Sequence, residues 1–166
     1  MIATIGYEKA NLSDFVQTLE VCEIDILVDI RDRAQSRRPG FSKSALSVAV
    51  GEAGIEYVHY KALGDPKEGR DAARSGNFDL FQKIFLEVMK TDAAQSAFTE
   101  VKELAKNYNI CLMCYERDQR ECHRKIVADQ LEEVLGYKAR HVGVQKFAPK
   151  PSAERRVLHT HQSATA

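Results

Sequence analysis

Five short strand-like runs are separated by stretches with helical spacing, and that alternation most constrains how this chain can fold. Ile2–Ile5 is apolar and ends at Gly6, the pattern of a buried strand running into a tight turn. Ile24–Ile30 is nearly continuous aliphatic sequence, as expected of a strand covered on both faces. Ile55–Tyr60, Asn109–Cys114 and Ala139–Val144 complete the set. Between them, apolar residues recur at helical spacing after Asn11 (Leu12, Phe15, Val16, Leu19), after Ser42 (Leu46, Ala49, Val50, Ala53), from Phe78 to Val88 and after Asp92. Another helix is expected over Glu121–Leu135, stopped by Gly136. Asn11 and Ser42 are the expected caps of their helices.

The order β-α-β-α-β-α-α-β-α-β predicts an α/β three-layer sandwich. Its mostly parallel sheet has about five strands, with helices on both faces. One domain is expected over residues 1–144, followed by a basic, flexible tail over 145–166 in which Pro149 and Pro151 break any periodicity. The polar segment Lys61–Gly76, punctuated by Gly64, Pro66, Gly69 and Gly76, reads as a long loop of the kind that forms lids or binding segments. No apolar run reaches the roughly 18 residues of a membrane span, and the N-terminus reads as a strand rather than a signal peptide. The expected location is cytoplasmic, with no membrane partner.

Topology then places the site. Ligands of parallel sheets bind at the carboxyl ends of the strands. Here those ends carry Gly6-Tyr7-Glu8, Asp29 with Arg31, His59-Tyr60, and Cys114 with Glu116. Charge is gathered near the same edge. The formal net charge is zero, yet residues 31–43 hold Arg31, Arg33, Arg37, Arg38 and Lys43 against Asp32 alone. Arginine rather than lysine dominates this loop, which favours fixed, bidentate recognition of an anion; a merely solvated charge run is the bland alternative. The tail repeats the bias with Lys146, Lys150, Arg155 and Arg156 against Glu154. Tyr7 and Phe41 can stack on a base or sugar, or simply pack.

Three of the four cysteines fall in Cys111-Leu112-Met113-Cys114-Tyr115-Glu116 and Cys122-His123-Arg124. In a reducing compartment this clustering points to metal binding, thiol chemistry or burial. The ligand types of Cys111, Cys114, Cys122 and His123 suit zinc. Strand alternation argues against the full set, because residues 111 and 114 belong on opposite faces, and Cys111 reads as a buried small hydrophobe. The second reading keeps Cys114, Glu116, Cys122, His123 and Arg124 as a polar constellation near a helix N-terminus, which favours a thiolate and an anion. Arg124 offers a fork for carboxylate or phosphate, and Glu116 a general base. The third reading is a capping cluster in which Glu116 and Arg124 pair and both thiols pack. Cys114 to Arg120 matches the Cys-x5-Arg spacing of thiol phosphatases, but Glu116 and Asp118 within that loop would repel a phosphate.

Taken together, Thr4-Ile5-Gly6-Tyr7, Val28-Asp29-Ile30-Arg31, Ser36-Arg37, Phe41, Gly54-Ile55-Glu56-Tyr57, Leu63-Gly64, Cys114-x-Glu116 and Cys122-His123-Arg124 resemble the DUF488 family, proteins of unknown function. The resemblance runs from about Ile2 to Val144. It implies one site containing Gly6, Asp29, Arg31, Ser36, Arg37, Cys114, Glu116, Cys122, His123 and Arg124, and it omits Cys111. Relatives often carry His-Ser where this chain has Tyr7-Glu8, and proline where it has Ala34. The Asp-x-Arg strand end is also similar to that of rhodanese-like domains, although their single catalytic cysteine loop is not evident.

The expected function is that of an enzyme acting on a phosphate-bearing ligand, a nucleotide or nucleic acid. Arg31, Arg37, Arg124, Ser36, Gly6 and Tyr7 would bind it, and Cys114, Glu116, Cys122, His123 and Asp29 would supply the chemistry. The identity of a metal or other cofactor is left open. The alternatives are a non-catalytic nucleic-acid-binding module and a thiol redox sensor using Cys114 and Cys122.

Overall fold

The computed structural model describes residues 1–148. Its sheet has five parallel strands, β1 (Ile2–Gly6), β2 (Ile26–Asp29), β3 (Glu56–His59), β4 (Ile110–Cys114) and β5 (Arg140–Val142), in the order β3-β2-β4-β1-β5. The helices are α1 (Leu12–Val21), α2 (Lys43–Glu52), α3 (Lys67–Arg74), α4 (Phe78–Met89), α5 (Asp92–Asn107) and α6 (His123–Leu135). The expected α/β sandwich is therefore the fold.

Side-chain alternation along the strands divides the core in two. Ile26, Val28, Ile30, Ile110 and Leu112 face one side and pack with Phe85 and Met89 of α4, Phe98 and Val101 of α5, and Val127 and Leu131 of α6. Leu27, Cys111 and Met113 point the other way, against Phe15 and Leu19 of α1 and Leu46 and Val50 of α2. Burial on both faces explains why the central strands read as unbroken aliphatic runs. Parity also sends Cys111 into the α1/α2 layer. The same alternation puts Cys114, three residues on, on the α6 side.

Two expectations change in the structure. Residues 61–76 are not an open loop: a 3-10 turn (Lys61–Leu63) leads into α3, which packs on α4. The sequence of α3, Lys67-Glu68-Gly69-Arg70-Asp71-Ala72-Ala73-Arg74, lacks an apolar stripe, and only Gly69 and Ala72 are buried. Its polar faces hid it from periodicity. Ser42 does precede α2, but its hydroxyl makes no cap bond. Instead it donates to the Ser36 carbonyl at 3.2 Å and accepts from the Ser36 amide at 3.2 Å, pinning the arginine loop to the helix start.

Asn11 caps α1 as expected, accepting from the Asp14 amide at 2.8 Å. The last helix begins at His123 rather than Glu121, after a 3-10 turn over Gln119–Glu121, and Gly136 ends it in the left-handed conformation at φ 78°. The first tail residues lie along α1, where the Gln145 and Phe147 amides donate to Thr18 Oγ1 and Asp14 Oδ1 at 3.0 and 3.1 Å. The rest of the expected flexible tail lies outside the described residues. Among those described, no helix is long and apolar enough to cross a membrane.

Candidate functional site

The strand order determines which ends meet. β4 lies between β2 and β1, with Cys114 level with Gly6 and Met113 level with Asp29. The carboxyl ends of these three strands thus open onto one crevice. A cleft of about 670 Å³ stands there, lined by Tyr7, Arg31, Ser36 and Arg37 together with Cys114, Glu116 and His123. That volume lies within the range of small-ligand sites. The arginine loop and the cysteine–histidine cluster therefore share a wall.

The floor is a polar network. The Arg31 guanidinium donates through Nε to Asp29 Oδ1 at 2.9 Å and through Nη2 to Oδ2 at 2.6 Å. Its Nη1 donates to the Tyr7 hydroxyl and the Phe41 carbonyl, each at 2.9 Å. Burial works against the charge on Arg31, but the Asp29 hydrogen bond and charge outweigh it and raise the pKa above the ordinary arginine value. Tyr57 donates to Asp29 Oδ2 at 2.6 Å, and burial, reinforced by that carboxylate, pushes its phenol up.

Asp29 is fully buried, and both its carboxylate oxygens accept from Arg31 or Tyr57, so it orients the Arg31 side chain. Arg31 reaches the cleft with most of its donors already used. His59 likewise bonds the Arg31 carbonyl, at 2.8 Å.

Two further residues act through packing. A Cβ on Gly6 would sit 1.8 Å from the Glu116 carbonyl oxygen, so the glycine lets β1 pass against the 116–117 backbone. Arg124 is buried, and its fork points inward. Nη1 donates to the Glu116 carbonyl at 2.5 Å and Nη2 to the Arg117 carbonyl at 3.0 Å. It is not among the residues lining this cleft and forms no ion pair with the Glu116 carboxylate; its fork clamps the 116–117 backbone.

Tyr7 is buried, and its ring stacks on Phe41 with centroids 4.5 Å apart and planes 9° apart. The Arg31 guanidinium carbon stands 5.2 Å from the Tyr7 ring centroid. Tyr115 is the exposed aromatic at the cleft, set edge-on to Tyr7 at 5.3 Å.

Cys114, Cys122 and His123 form the reactive cluster, each at most 5% exposed. Cys114 Sγ donates to Glu116 Oε2 at 3.2 Å and lies 3.7 Å from His123 Nδ1. Cys122, the residue before α6, brings its Sγ to 3.9 Å from the same nitrogen. His123 Nε2 lies 2.9 Å from the Ile30 carbonyl oxygen, which can only accept. Nε2 therefore carries a proton, and Nδ1 faces the two sulfurs.

The charges are coupled. Burial drives the Cys114 thiol well up, and the hydrogen bond and negative charge of Cys122 drive it further. Burial opposes ionisation of Cys122 too, but the Cys114 hydrogen bond and the His123 charge hold it well below an ordinary thiol. Burial works against the His123 cation, yet the Cys122 charge and hydrogen bond raise it to about 9. Glu116 is pushed up to about 7, by burial first and by the Cys122 charge second. Such a pair supplies a thiolate, which is the form that serves either as nucleophile or as metal ligand. Cys111, buried on the other face with its thiol pushed up by burial, takes no part.

Arg33, Gln35, Arg38 and Asp32 of the arginine loop also line the cleft, as the charge pattern of that loop suggested. Asp65, Lys67, Arg70 and Arg74 line it too and were not identified from sequence. Arg38 is tied to the Ala10 carbonyl through Nε and Nη2 at 3.1 and 2.5 Å, and Arg70 to Asp32 at 3.1 Å. Arg33 and Arg37 are exposed, and among the described residues their guanidinium groups meet no acid or carbonyl.

Asp65 is 5% exposed, and its Oδ1 has no hydrogen-bond partner. Burial raises it to about 6, against the pull of His123 and Arg70. Gly64 and Gly69 mark this segment, because a Cβ on Gly69 would meet Asp65 Oδ1 at 2.0 Å and one on Gly64 the Asp32 amide nitrogen at 2.2 Å. Those two glycines were the available signal. A second cleft of about 250 Å³ reaches Cys122 from the α3/α4 side and shares Asp65, Tyr115, Glu116 and His123 with the first.

The fold and the crevice define a parallel α/β domain with a basic, thiol-bearing cleft at its strand ends. The chain matches the family described as Domain of unknown function DUF488 over residues 11–131 of 166, and it belongs to that family. No curated protein and no solved structure matches it.

Proposed function

We propose that this protein is an enzyme acting on a small phosphate-bearing ligand of the nucleotide or nucleic-acid-end class. One observation carries the reading: unpaired arginines and the Cys114–Glu116–His123 cluster line a single cleft. Arg33 and Arg37 hold the anion with forks that no internal acid consumes, and Arg31 presents what remains of its fork from a fixed position. Tyr115, exposed at the rim, offers a face for a base. Glu116, Cys114, Cys122 and His123 lie where the anion's neighbouring atoms would be, and they supply the acid, base or nucleophile.

A thermal-shift series with inorganic phosphate, pyrophosphate, nucleotides and short oligonucleotides tests this. A ligand at about a hundred times its Kd stabilises a fold by about 2.7 kcal/mol, an easily read shift. The expected result is stabilisation by one of these classes, lost in Arg37→Ala, and slow conversion of that ligand that stops in Glu116→Gln. Binding that survives both changes, with no conversion, would support a non-catalytic binding module instead. No stabilisation by any of them would overturn the reading.

A further inference from the structure

We infer that Cys114, Cys122 and His123 form a binding site for a thiophilic divalent cation of the zinc type, with its open coordination position facing the arginine cleft. Geometry is the first argument. A tetrahedral zinc with bonds of about 2.3 Å to sulfur and about 2.0–2.1 Å to nitrogen holds those atoms about 3.6 Å apart. Here the two sulfur–Nδ1 separations are 3.7 and 3.9 Å, and all three ligand atoms lie within 4.8 Å of one another.

The orientation of the histidine is the second argument. His123 donates its Nε2 proton in a hydrogen bond to the Ile30 carbonyl, which fixes the ring and turns Nδ1, the atom whose proton a metal displaces, toward both sulfurs. Metal-ligating histidines almost always have such a carbonyl or carboxylate behind them, because it sets the tautomer and makes the ligating nitrogen more basic. The ring also packs on Phe85 with centroids 5.0 Å apart, which supports that orientation.

Ligand chemistry selects the ion. Two sulfurs and an imidazole suit zinc and disfavour magnesium or calcium, which require oxygen. Three protein ligands leave a fourth position, as in catalytic rather than structural zinc sites. Cys114 and His123 line the main cleft, so that position opens toward the arginines. Glu116 Oε2, 3.2 Å from Cys114 Sγ, stands beside it as an acceptor for a bound water. Cys111 is excluded from the set by its burial in the opposite layer.

The site's use in catalysis rests on the proposed function, whereas its existence does not, and one experiment separates them. The full-length chain, stripped of metal by a chelator, is titrated with cobalt(II) and then zinc. The expected result is a saturable thiolate-to-cobalt charge-transfer band with the intense visible bands of four-coordinate cobalt, at one metal per chain, abolished by zinc.

Cys114→Ser and Cys122→Ser should each weaken binding by more than the roughly 10–100-fold that loss of an outer hydrogen-bond partner causes. Cys22→Ser, outside the cluster, should leave it unchanged. The wild-type spectrum alone is decisive if either serine variant fails to fold. Absence of the charge-transfer band, or a band of unchanged intensity and affinity in Cys122→Ser, would overturn the inference. The phosphate and nucleotide shifts are run on the same metal-free protein. Anion stabilisation without cobalt binding removes the metal site and leaves the proposed function standing. Cobalt binding with no anion response, metal-loaded or metal-free, does the reverse.

Discussion

A single carboxylate, Asp65, shows how much of this site is held against local preference. Its Oδ1 is buried without a donor, and a Cβ on Gly69 would meet it at 2.0 Å. The groups facing it are mixed, with burial raising its pKa, His123 and Arg70 lowering it, and Cys122 and Asp32 raising it again. The folded carboxyl titrates at about 6 against an ordinary 3.8, so the folded state holds a proton that the unfolded chain releases. The sign follows: the carboxyl costs nothing below pH 4, and the penalty grows between pH 4 and 6 and is complete above 6. Asp65→Asn in chelator-treated protein should therefore match wild type near pH 4 and exceed it by up to about 2–3 kcal/mol at pH 7.5. Urea unfolding at the two pH values reads this directly, and a variant less stable than wild type at pH 7.5 would refute it. At Gly6 the direction is opposite. A Cβ meets the Glu116 carbonyl oxygen, which belongs to the backbone and cannot rotate away. Gly6→Ala should cost about 2 kcal/mol or more by the same measurement.

At the scale of elements, the site hangs on one loop between β4 and α6. Arg124 holds the Glu116 and Arg117 carbonyls from within α6, while Glu8 accepts from the Arg117 amide at 3.1 Å and donates its own amide to Tyr115. A lysine at position 124 cannot span two carbonyls with a fork. Arg124→Lys should lose about 2–3 kcal/mol in denaturant unfolding and loosen Glu116, even though charge is conserved. Equal stability of the two proteins would mean that the clamp is not structural.

This residue also shows the limit of the sequence. The central strands β1, β2 and β4 are legible because both of their faces are buried, and the edge where Cys114, Arg31 and Tyr7 meet follows from parallel topology. Parity alone separates Cys111 from Cys114. The direction of a guanidinium fork, by contrast, depends on acceptors brought in by the fold, so the sequence does not reveal that Arg124 holds the Glu116 and Arg117 carbonyls or that Arg31 spends most of its donors on Asp29, Tyr7 and Phe41. Helix α3 is invisible to periodicity because it has polar residues all round, and with it went Asp65, Lys67, Arg70 and Arg74.

Across the whole molecule, the cleft concentrates charge that the chain as a whole does not have. Arg31, Arg33, Arg37, Arg38, Lys67, Arg70 and Arg74 face Asp32, Asp65 and Glu116 there, a formal +4. The full chain sums to zero, which leaves a formal −4 on the rest. Such separation draws anions to one edge, and salt screens it over about 8 Å at physiological ionic strength. Arg31, Arg38 and Arg70 offset part of their mutual repulsion through Asp29, the Ala10 carbonyl and Asp32. Arg33 and Arg37 are not offset in this way, so in the free protein they repel their neighbours. Arginines kept for a ligand should therefore be neutral or slightly costly to the fold. Arg33→Ala and Arg37→Ala should each weaken binding of the stabilising anion about tenfold, close to 1.4 kcal/mol. The ligand-free Tm should stay level or rise by the equivalent of a few tenths of a kcal/mol. The weakening should shrink as salt is raised, since the lost term is electrostatic. Calorimetric titration at two salt concentrations, beside ligand-free melting curves, measures both halves. A variant that melts earlier without ligand and binds the anion as before would make these arginines structural, and the cleft would lose the two groups best placed to hold an anion.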